Sequence, residues 1–392
     1  MIIKTIFFIA NSDGALFNFR ESLIRKLVKT EYRVITISGT SVEGCYRSKL
    51  KNLGVYKHIE LNFSGSKISI LSFIFLIFKV SKLCHKFNPD IVHCFTHKGC
   101  ISGALGVIFS LSKARLVFTI TGLGRVFTSN GFLRPLLRKF ILFQYLLVSF
   151  RAHKVFFQNT DDANLFEKKC LLNKRQILVV GGSGVDLKKI NPENEYDLDE
   201  KDSYFNNLIK FKDKKIVVLM LGRGMIEKGF FEYYQAAKFI SELFPQKYIF
   251  VHAGSIDENV LGEINANDID LFAKSHSVNY LGFRNDSEAL LSYSDIVIHA
   301  SYYREGVPRS LIEALAMDKT IITCDTIGNR EVLVNEWNGF FCLPRNTQSL
   351  ISCILRADDD FRSMATGNSL LLASKKFDVE VIDESVLRAY FD

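Results

Sequence analysis

The stretch IVIHASYYREGVPRSLIEALA (residues 296–316) contains a strand, a polar loop and a helix in direct succession. Its opening run, Ile296–His299, is short and rich in β-branched residues, which is typical of a strand buried in a parallel sheet. Pro308 suits the first turn of the following helix, because no backbone N–H is needed there. Ligands of open α/β sheets bind at the carboxyl ends of the strands, so we expect the loop 301–307 to carry the chemistry.

The same strand and helix alternation recurs along the chain of 392 residues, which is long enough for two cores. The first series of candidate strands covers 2–10, 33–38, 90–94, 115–121 and 154–158. After the polar segment 191–213 the pattern restarts with 215–221, 248–252, 278–281, 296–299, 320–323 and 339–343. This pattern predicts two doubly wound α/β domains with parallel sheets.

Two loops that follow strands have the composition of phosphate-binding sites. Residues 11–15 place Gly14 beside the start of a helix, where backbone N–H groups attract anions, although the dinucleotide fingerprint G-x-G-x-x-G is missing. Residues 222–229 carry Arg223 and Lys228, which offer a planar fork and a point charge to phosphoryl oxygens. Considered alone, either loop is also consistent with an ordinary solvated turn.

The two acidic residues of the opening stretch narrow the choice of ligand. Glu305 precedes the helix and Glu313 lies inside it. A helix amino end can hold a diphosphate, and a carboxylate accepts hydrogen bonds from sugar hydroxyls. A nucleotide sugar has both a diphosphate and sugar hydroxyls, so it matches both features. The alternative is that Glu305 only stabilises the helix dipole and that Glu313 is solvated. The apolar neighbours of Glu313 disfavour this alternative.

With Gly222-Arg223 and Lys228-Gly229 about eighty residues before Glu305-x7-Glu313, the chain resembles the retaining glycosyltransferases of family 4. Residues 184–186 (GVD) are similar to a turn of that family, and the resemblance extends over nearly the whole chain. The branch that looks closest adds N-acetylgalactosamine to polyprenyl-diphosphate-linked diacetylbacillosamine. The shared features are Gly14-Ala15 with Phe19-Arg20, His97-Lys98, residues 122–124 (GLG) and residues 304–306 (REG).

The resemblance implies a GT-B fold, in which two Rossmann-like domains face a central cleft. Residues 1–175 would form an acceptor-binding, membrane-facing domain, and residues 176–370 would bind the nucleotide sugar. Residues 371–392 would form a helix that packs back on the first domain.

The resemblance also implies roles for single residues. Arg223 and Lys228 would hold the donor diphosphate, and Gly14 would approach it from the other domain. Glu313 would bind the ribose, and Glu305 would act on the transferred sugar. The backbone of Gly306 and Val307 would complete the donor site. Neither a metal nor a cofactor is implied.

The implied activity is that of a hexosyltransferase in bacterial O-antigen, lipopolysaccharide or capsule assembly. It would move an N-acetylhexosamine or hexose from a UDP-sugar to a polyprenyl-diphosphate-linked saccharide. Two alternatives remain open, a UDP-sugar 2-epimerase of the same architecture and a non-catalytic protein that binds membrane surfaces. An NAD-dependent oxidoreductase is disfavoured because its fingerprint is missing.

One position departs from the family pattern. Many members carry a histidine near the reacting sugar where this chain has Thr121, and threonine is not a base near neutral pH. His97 is the nearest alternative and a candidate catalytic residue. A single histidine in a loop is more often structural, and a transfer assisted by the departing diphosphate would need no strong base.

The charge of the chain is divided unevenly. Residues 1–170 carry 25 Lys and Arg against 9 Asp and Glu, a net +16, whereas residues 171–392 carry 25 against 33, a net −8. The apolar segment 132–150 is flanked or interrupted by Arg134, Arg138, Lys139, Arg151 and Lys154. It is either a core helix or a helix that lies on an anionic membrane surface.

The same observations suggest a location. Eight scattered cysteines without metal-site spacing favour a reducing compartment, and the apolar run 1–10 is too short for a secretory signal. We therefore expect a cytoplasmic protein that is peripheral on the inner face of the cell membrane. Lipid-linked saccharide, rather than nucleic acid, would be its anionic partner.

Overall fold

The structure, a computed structural model, describes residues 4–30, 32–41, 46–61, 63, 70–128, 134–196, 215–256 and 269–392. It divides into two compact units. Met1–Gly184 and Val379–Asp392 form the amino-terminal unit, and Val185–Asp378 form the carboxyl-terminal unit. The polar segment 191–213 lies outside the described residues from 197 onward.

The amino-terminal unit is built on seven parallel strands. They are β1 (Thr5–Ser12), β2 (Arg33–Gly39), β3 (Lys57–Glu60), β4 (Ile91–Phe95), β5 (Arg115–Ile120), β6 (Ala152–Phe157) and β7 (Ile177–Val179). Their order is β3-β2-β1-β4-β5-β6-β7. The sequence did not indicate the two outermost strands, because β3 is polar and β7 has only three residues.

The carboxyl-terminal unit repeats this plan with six parallel strands. They are β8 (Ile216–Leu221), β9 (Tyr248–Ala253), β10 (Val278–Tyr280), β11 (Ile296–His299), β12 (Thr320–Cys324) and β13 (Gly339–Cys342). Their order is β10-β9-β8-β11-β12-β13. Two doubly wound parallel sheets confirm the predicted fold class.

Helices connect the strands in both units. Those up to the end of the amino-terminal sheet are α1 (Asp13–Lys29), α2 (Tyr46–Asn52), α3 (Ile70–Phe87), α4 (Thr96–Phe109), α5 (Arg125–Thr128), α6 (Arg134–Ser149) and α7 (Thr160–Lys169). Those that follow are α8 (Phe230–Leu243), α9 (Ile269–Ser275), α10 (Ser287–Ser292), α11 (Arg309–Ala316), α12 (Thr347–Arg356), α13 (Asp359–Ala365), α14 (Asn368–Lys376) and α15 (Val379–Phe391). In the amino-terminal unit α3, α4, α6 and α7 pack on one face of the sheet, and α1, α2 and α15 on the other.

Both unit boundaries fall later than the sequence suggested. The first lies after Gly184 rather than 175, because β7 pairs with β6 in the amino-terminal sheet. The last lies before Val379 rather than 371, because Ala373 and Phe377 are buried in the core of the carboxyl-terminal unit.

The helix α15 is tied to the amino-terminal unit by polar contacts that are buried or partly buried. The Tyr390 hydroxyl lies 2.6 Å from His93 Nδ1, and Arg115 donates to the Tyr390 carbonyl oxygen at 2.6 Å. On the same helix, Asp383 accepts a hydrogen bond of 2.6 Å from the Ser22 hydroxyl. These contacts join the end of the chain to its beginning.

Candidate active site

The candidate site lies at the carboxyl ends of β8 and β11, which are neighbours in the sheet. Residues 222–229 follow β8, and residues 300–308 connect β11 to α11. Because parallel strands end at the same edge of a sheet, the two loops lie side by side. This is the position at which open α/β sheets bind ligands.

Glu305 is the centre of a compact group of polar side chains. Its Oε1 accepts hydrogen bonds from His299 Nε2 at 2.8 Å and from the Ser301 hydroxyl at 3.3 Å. Its Oε2 lies 3.4 Å from Lys228 Nζ, and the Glu305 side chain is 19% exposed. The carboxylate is therefore held by its neighbours and still reachable by a ligand.

These neighbours keep Glu305 ionised. Burial raises the pKa of Glu305, but the charge of Lys228 and the hydrogen bond from His299 outweigh it and lower the pKa to about 2. Burial lowers the pKa of His299 despite the opposing effect of Glu305, so its ring is neutral near pH 7. Neutral His299 donates its Nε2–H to the carboxylate, which can only accept.

Lys228 reaches Glu305 because the two loops are joined through their backbones. Lys228 ends a short 3₁₀ turn, and Gly229 after it has a φ of 76°. A Cβ at Gly229 would lie 2.5 Å from the Ala300 carbonyl oxygen, so only glycine allows this close approach. The Glu227 carbonyl oxygen accepts the Tyr302 N–H at 2.9 Å and completes the junction.

The loop that carries Arg223 is supported from beneath by a buried histidine. His252 Nε2 donates to the Gly222 carbonyl oxygen at 3.1 Å, and its Nδ1 accepts from the Tyr234 hydroxyl at 3.0 Å. Burial lowers the pKa of His252 to about 4, so the ring stays neutral. Arg223 itself is exposed beside this fixed turn.

Glu313 is positioned separately by α11, which begins directly after Pro308. Its carboxylate accepts a hydrogen bond of 2.7 Å from Arg309 Nε, one helical turn earlier. Burial raises the pKa of Glu313, and Arg309 offsets only part of that effect. Glu313 is thus a buried carboxylate paired with Arg309, a costly arrangement that suits a binding role.

We expect Glu313→Gln to raise the melting temperature near pH 7.5 and to change it little near pH 4.5. Because the pKa of Glu313 is raised above its ordinary 4.5, the folded chain binds this proton more tightly than the unfolded chain. The contribution of Glu313 to folding therefore becomes less favourable as the pH rises above about 4.5. Thermal unfolding at both pH values checks this.

The control is Glu336→Gln, which removes an exposed carboxylate paired with Arg356. It should show no comparable difference between the two pH values. A Glu313→Gln protein that melts like the wild type at about pH 7.5 would contradict the expected cost of burying this charge.

The backbone proposed to hold the donor lies in the turn before α11. Gly306 and Val307 are both buried there. A Cβ at Gly328 would lie 1.8 Å from the Gly306 carbonyl oxygen, which shows how closely the loop after β12 supports this turn. The donor-binding role of these two residues stays a prediction.

Of the predicted site residues in this unit, Lys228 and Glu305 are in direct contact. Glu313 pairs with Arg309, and Arg223 extends from the neighbouring loop. The other two, Gly14 and His97, belong to the amino-terminal unit.

Gly14 lies in the first turn of α1 rather than in a loop before the helix. Its N–H donates to Asp13 Oδ1 at 2.8 Å and lies 3.0 Å from the Ser41 hydroxyl oxygen. A Cβ at Gly14 would lie 2.6 Å from that oxygen and 3.1 Å from the Tyr46 ring, so a larger residue would have to displace the Ser41 side chain. The buried carboxylate of Asp13 already occupies this helix end, and the approach of Gly14 to the donor stays a prediction.

His97 lies in the first turn of α4 and faces α6. Its Nε2 donates to Gln144 Oε1 at 3.1 Å, and its ring packs edge-on against Tyr145. Its Nδ1 is buried without a hydrogen-bond partner among the described residues. Burial lowers the pKa of His97 to about 4, far from that of an efficient base near neutral pH. A catalytic role of His97 stays a prediction.

Sequence reasoning missed two residues of the carboxyl-terminal site, His299 and His252. Both end or nearly end a buried strand, where a histidine looks like an ordinary core residue. A signal was present, since a polar ring inside an apolar strand needs a hydrogen-bond partner. The identity of that partner depends on contacts between distant segments.

Metal-binding residues do not cluster in the part of the chain that the structure describes. No group of three or more His, Cys, Asp or Glu residues there could hold an ion. The seven described cysteines, which exclude Cys45, are all buried.

Two family matches cover most of the chain. Residues 6–159 match the family described as Glycosyl transferase 4-like, and residues 202–361 match Glycosyl transferases group 1. The first range contains nearly all of β1 to β6, and the second contains β8 to β13.

Curated relatives have similar lengths. The N,N'-diacetylbacillosaminyl-diphospho-undecaprenol alpha-1,3-N-acetylgalactosaminyltransferase of Campylobacter jejuni is 28% identical over 98% of this chain and 97% of its own length. The UDP-Gal:alpha-D-GlcNAc-diphosphoundecaprenol alpha-1,3-galactosyltransferase of Escherichia coli is 28% identical over 75% and 72%.

Solved structures show the same architecture. The Anabaena protein HepE in complex with UDP and glucose superimposes with a TM-score of 0.74 at 20% identity, covering 98% of each chain. At this identity the likeness concerns the fold.

Proposed function

The chain belongs to the glycosyl transferases that combine a 4-like amino-terminal domain with a group 1 carboxyl-terminal domain, and on this premise we propose its substrates. It is a hexosyltransferase of the retaining type with the GT-B fold. We propose that it moves an N-acetylhexosamine or hexose from a UDP-sugar to a polyprenyl-diphosphate-linked saccharide. The setting is the assembly of a bacterial surface polysaccharide such as O-antigen, lipopolysaccharide or capsule.

The contact between Lys228 and Glu305 is the observation that carries this proposal. It places a cation suited to phosphates beside a carboxylate suited to a sugar, at one edge of one sheet. Arg223 on the same loop adds a second cation for the diphosphate. We propose that Glu313, which is buried in α11, accepts hydrogen bonds from the ribose hydroxyls.

The proposed transfer proceeds on one face of the donor sugar. The bond between sugar C1 and the phosphate oxygen breaks, and UDP leaves with the bonding electrons. The acceptor hydroxyl oxygen bonds to C1 from the same face, and its proton passes to the departing diphosphate. Lys228 and Arg223 stabilise the leaving group, while ionised Glu305 stabilises positive charge on the sugar. No protein base is then needed at Thr121.

The two alternatives suggested by the sequence are not favoured. The curated relatives are named as transferases that act on diphosphoundecaprenol-linked sugars, and neither name describes an epimerase. A binding protein without catalysis would not account for the presence of Arg223, Lys228, Glu305 and Glu313 together.

The test is incubation with a panel of UDP- and GDP-sugars and a polyprenyl-diphosphate-linked saccharide, with products measured by mass. We expect one UDP-sugar to extend the acceptor, with the donor anomeric configuration retained. Because two cations supply the charge that a metal supplies elsewhere, we propose that turnover persists in EDTA. Donor turnover without any acceptor would support the epimerase instead.

We also propose that the protein works as a peripheral protein on the cytoplasmic face of the membrane. The acceptor we propose is anchored in the bilayer, and residues 1–170 carry a net charge of +16. Among the described helices, none has the length and apolar character required to cross a bilayer. Docking would then depend on the surface of the amino-terminal unit.

We expect Arg134→Gln combined with Lys139→Gln to weaken binding to anionic vesicles by about tenfold at low salt, because each cation near an anionic surface adds attraction. Arg138 is left in place because its Nε donates to the Val126 carbonyl oxygen at 2.8 Å. Vesicle flotation measures the effect.

The matched control replaces Lys168 and Lys169, which are exposed at the far end of α7. This variant should bind like the wild type. No flotation of the wild type at low salt would remove membrane docking from the proposed function.

A further inference from the structure

Helix α3 presents a row of large apolar side chains to solvent. They recur at intervals of three and four residues, so they share one face of the helix. Each is more than half exposed, and they are Leu71, Ile74, Phe75 and Phe78. The opposite face, with Leu76 and Val80, is buried in the core.

Helix α6 presents a second row of the same kind. Each of its four members is more than half exposed, and they are Leu136, Phe140, Phe143 and Leu147. The segment 132–150 is therefore not simply a core helix, because only Tyr145, Val148 and Ser149 of α6 are buried. We call these two rows together the α3–α6 face.

The helices α3 and α6 lie on one side of the amino-terminal sheet, and their amino ends lie at the same edge of that sheet. The helix α4 packs against both α3 and α6 and starts directly after β4. The helices α3 and α6 end just before β4 and β6, so their amino ends lie at the carboxyl ends of the strands. That edge is where an open α/β sheet binds ligands.

Cations accompany the apolar rows. Lys79 places its Nζ 4.5 Å from the centre of the Phe75 ring. Lys82 on α3 and Arg134 and Lys139 on α6 belong to the same two helices. Aromatic and aliphatic residues on one face with Lys and Arg around them are typical of a helix that lies in a membrane interface.

We infer that the α3–α6 face inserts into the boundary between headgroups and acyl chains of an anionic bilayer and supplies most of the membrane affinity. This inference rests on the proposed function, since a lipid-linked acceptor places the reaction at a membrane. Insertion of both helices would hold the amino end of α4, between them, at the level of the headgroups.

A bilayer is a better occupant of this face than a second copy of the chain. A symmetric dimer would place two copies of this cationic surface opposite each other, and neither α3 nor α6 contains an acidic residue that could neutralise Lys79, Arg134 and Lys139. An anionic bilayer instead neutralises these charges while it covers the apolar rows. An exposed apolar surface of this extent marks an interaction site rather than ordinary surface.

Membrane binding by apolar insertion depends less on salt concentration than binding by attraction between charges alone. Salt screens interactions between exposed charges but leaves apolar burial in place. Raising the salt to about 0.5 M should therefore release only part of the bound protein. If docking were mainly electrostatic, this salt concentration would release nearly all of it.

The experiment compares the full-length wild type with two double variants, Phe75→Ser with Phe78→Ser and Phe140→Ser with Phe143→Ser. Partition onto phosphatidylglycerol and phosphatidylcholine vesicles is measured by flotation at low and high salt. Each double variant should partition about 100-fold more weakly, because each buried aromatic ring contributes roughly tenfold. The control Phe109→Ser removes an equally exposed ring at the opposite end of α4 and should not change binding.

Three results would overturn the inference: double variants that bind like the wild type, a control that loses binding as strongly, or complete release of the wild type at high salt. A wild-type dimer that dissociates in the double variants, seen by sedimentation, would assign the face to a subunit interface instead.

A separate assay distinguishes this inference from the proposed function. With a short-chain, water-soluble diphosphate-linked acceptor and no vesicles, the double variants should turn over at the wild-type rate. A wild type that binds vesicles but transfers to no acceptor would contradict the proposed function alone. A wild type that transfers but does not bind vesicles would contradict the inference and the proposed membrane docking, and would leave the proposed transferase activity standing.

Discussion

Replacing Glu305 by glutamine or alanine is expected to lower turnover by about 10²–10³-fold, with a much smaller change in donor binding. The carboxylate is fixed by His299 and Lys228 and remains ionised, so it is ready to stabilise positive charge on the sugar without reorganisation. Glutamine keeps the shape of the side chain and removes the charge. Steady-state kinetics with the preferred UDP-sugar gives kcat and KM separately.

The control for this experiment is Glu336→Gln, an exposed carboxylate of the same unit that pairs with Arg356. It should turn over normally. Circular dichroism and thermal unfolding establish that the Glu305 variants are folded. A folded Glu305→Ala protein with wild-type turnover would remove Glu305 from the chemistry.

The pH profile of the wild type provides a second check on Glu305. Its pKa is lowered to about 2, so the carboxylate is charged at every pH above about 4. The rate should therefore not fall between pH 8 and pH 5 because of protonation of Glu305.

Replacing Lys228 by methionine is expected to weaken UDP binding by roughly 10–100-fold while uridine binding stays the same. The reason is that the ammonium group acts on the diphosphate and not on the nucleoside. Arg223→Ala should weaken UDP binding in the same selective way. Calorimetry with UDP and uridine measures both affinities.

The matched control is Lys238→Met, which removes an exposed cation from α8 in the same unit. Unchanged UDP affinity in both the Lys228 and Arg223 variants would show that this loop does not bind the diphosphate. Equal losses for UDP and uridine would indicate a distorted loop instead.

Lys228→Met should also move the acid limb of any residual activity to higher pH. Lys228 favours the ionised form of Glu305, so its removal raises the pKa of the carboxylate. The direction of this shift is the test, because a lysine that acts only on phosphate would leave the limb in place.

The sequence by itself determined the architecture and the identity of the principal side chains. Apolar β-branched runs such as Ile296–His299 predict buried strands, because most residues of a parallel sheet covered on both faces are apolar. The loops with Arg223, Lys228 and Glu305 were located because ligand sites follow the strands of such sheets. The apolar runs and the loop compositions are local features of the sequence, so they can be recognised without knowledge of the fold.

Only the tertiary structure decided which of these groups meet. Lys228 and Glu305 are far apart in the chain and come together because β8 and β11 are neighbours. The supporting histidines, His299 and His252, and the pairing of Glu313 with Arg309 also depend on packing. An apolar helix has the same composition whether its face is buried or exposed, and so only the fold revealed the α3–α6 face.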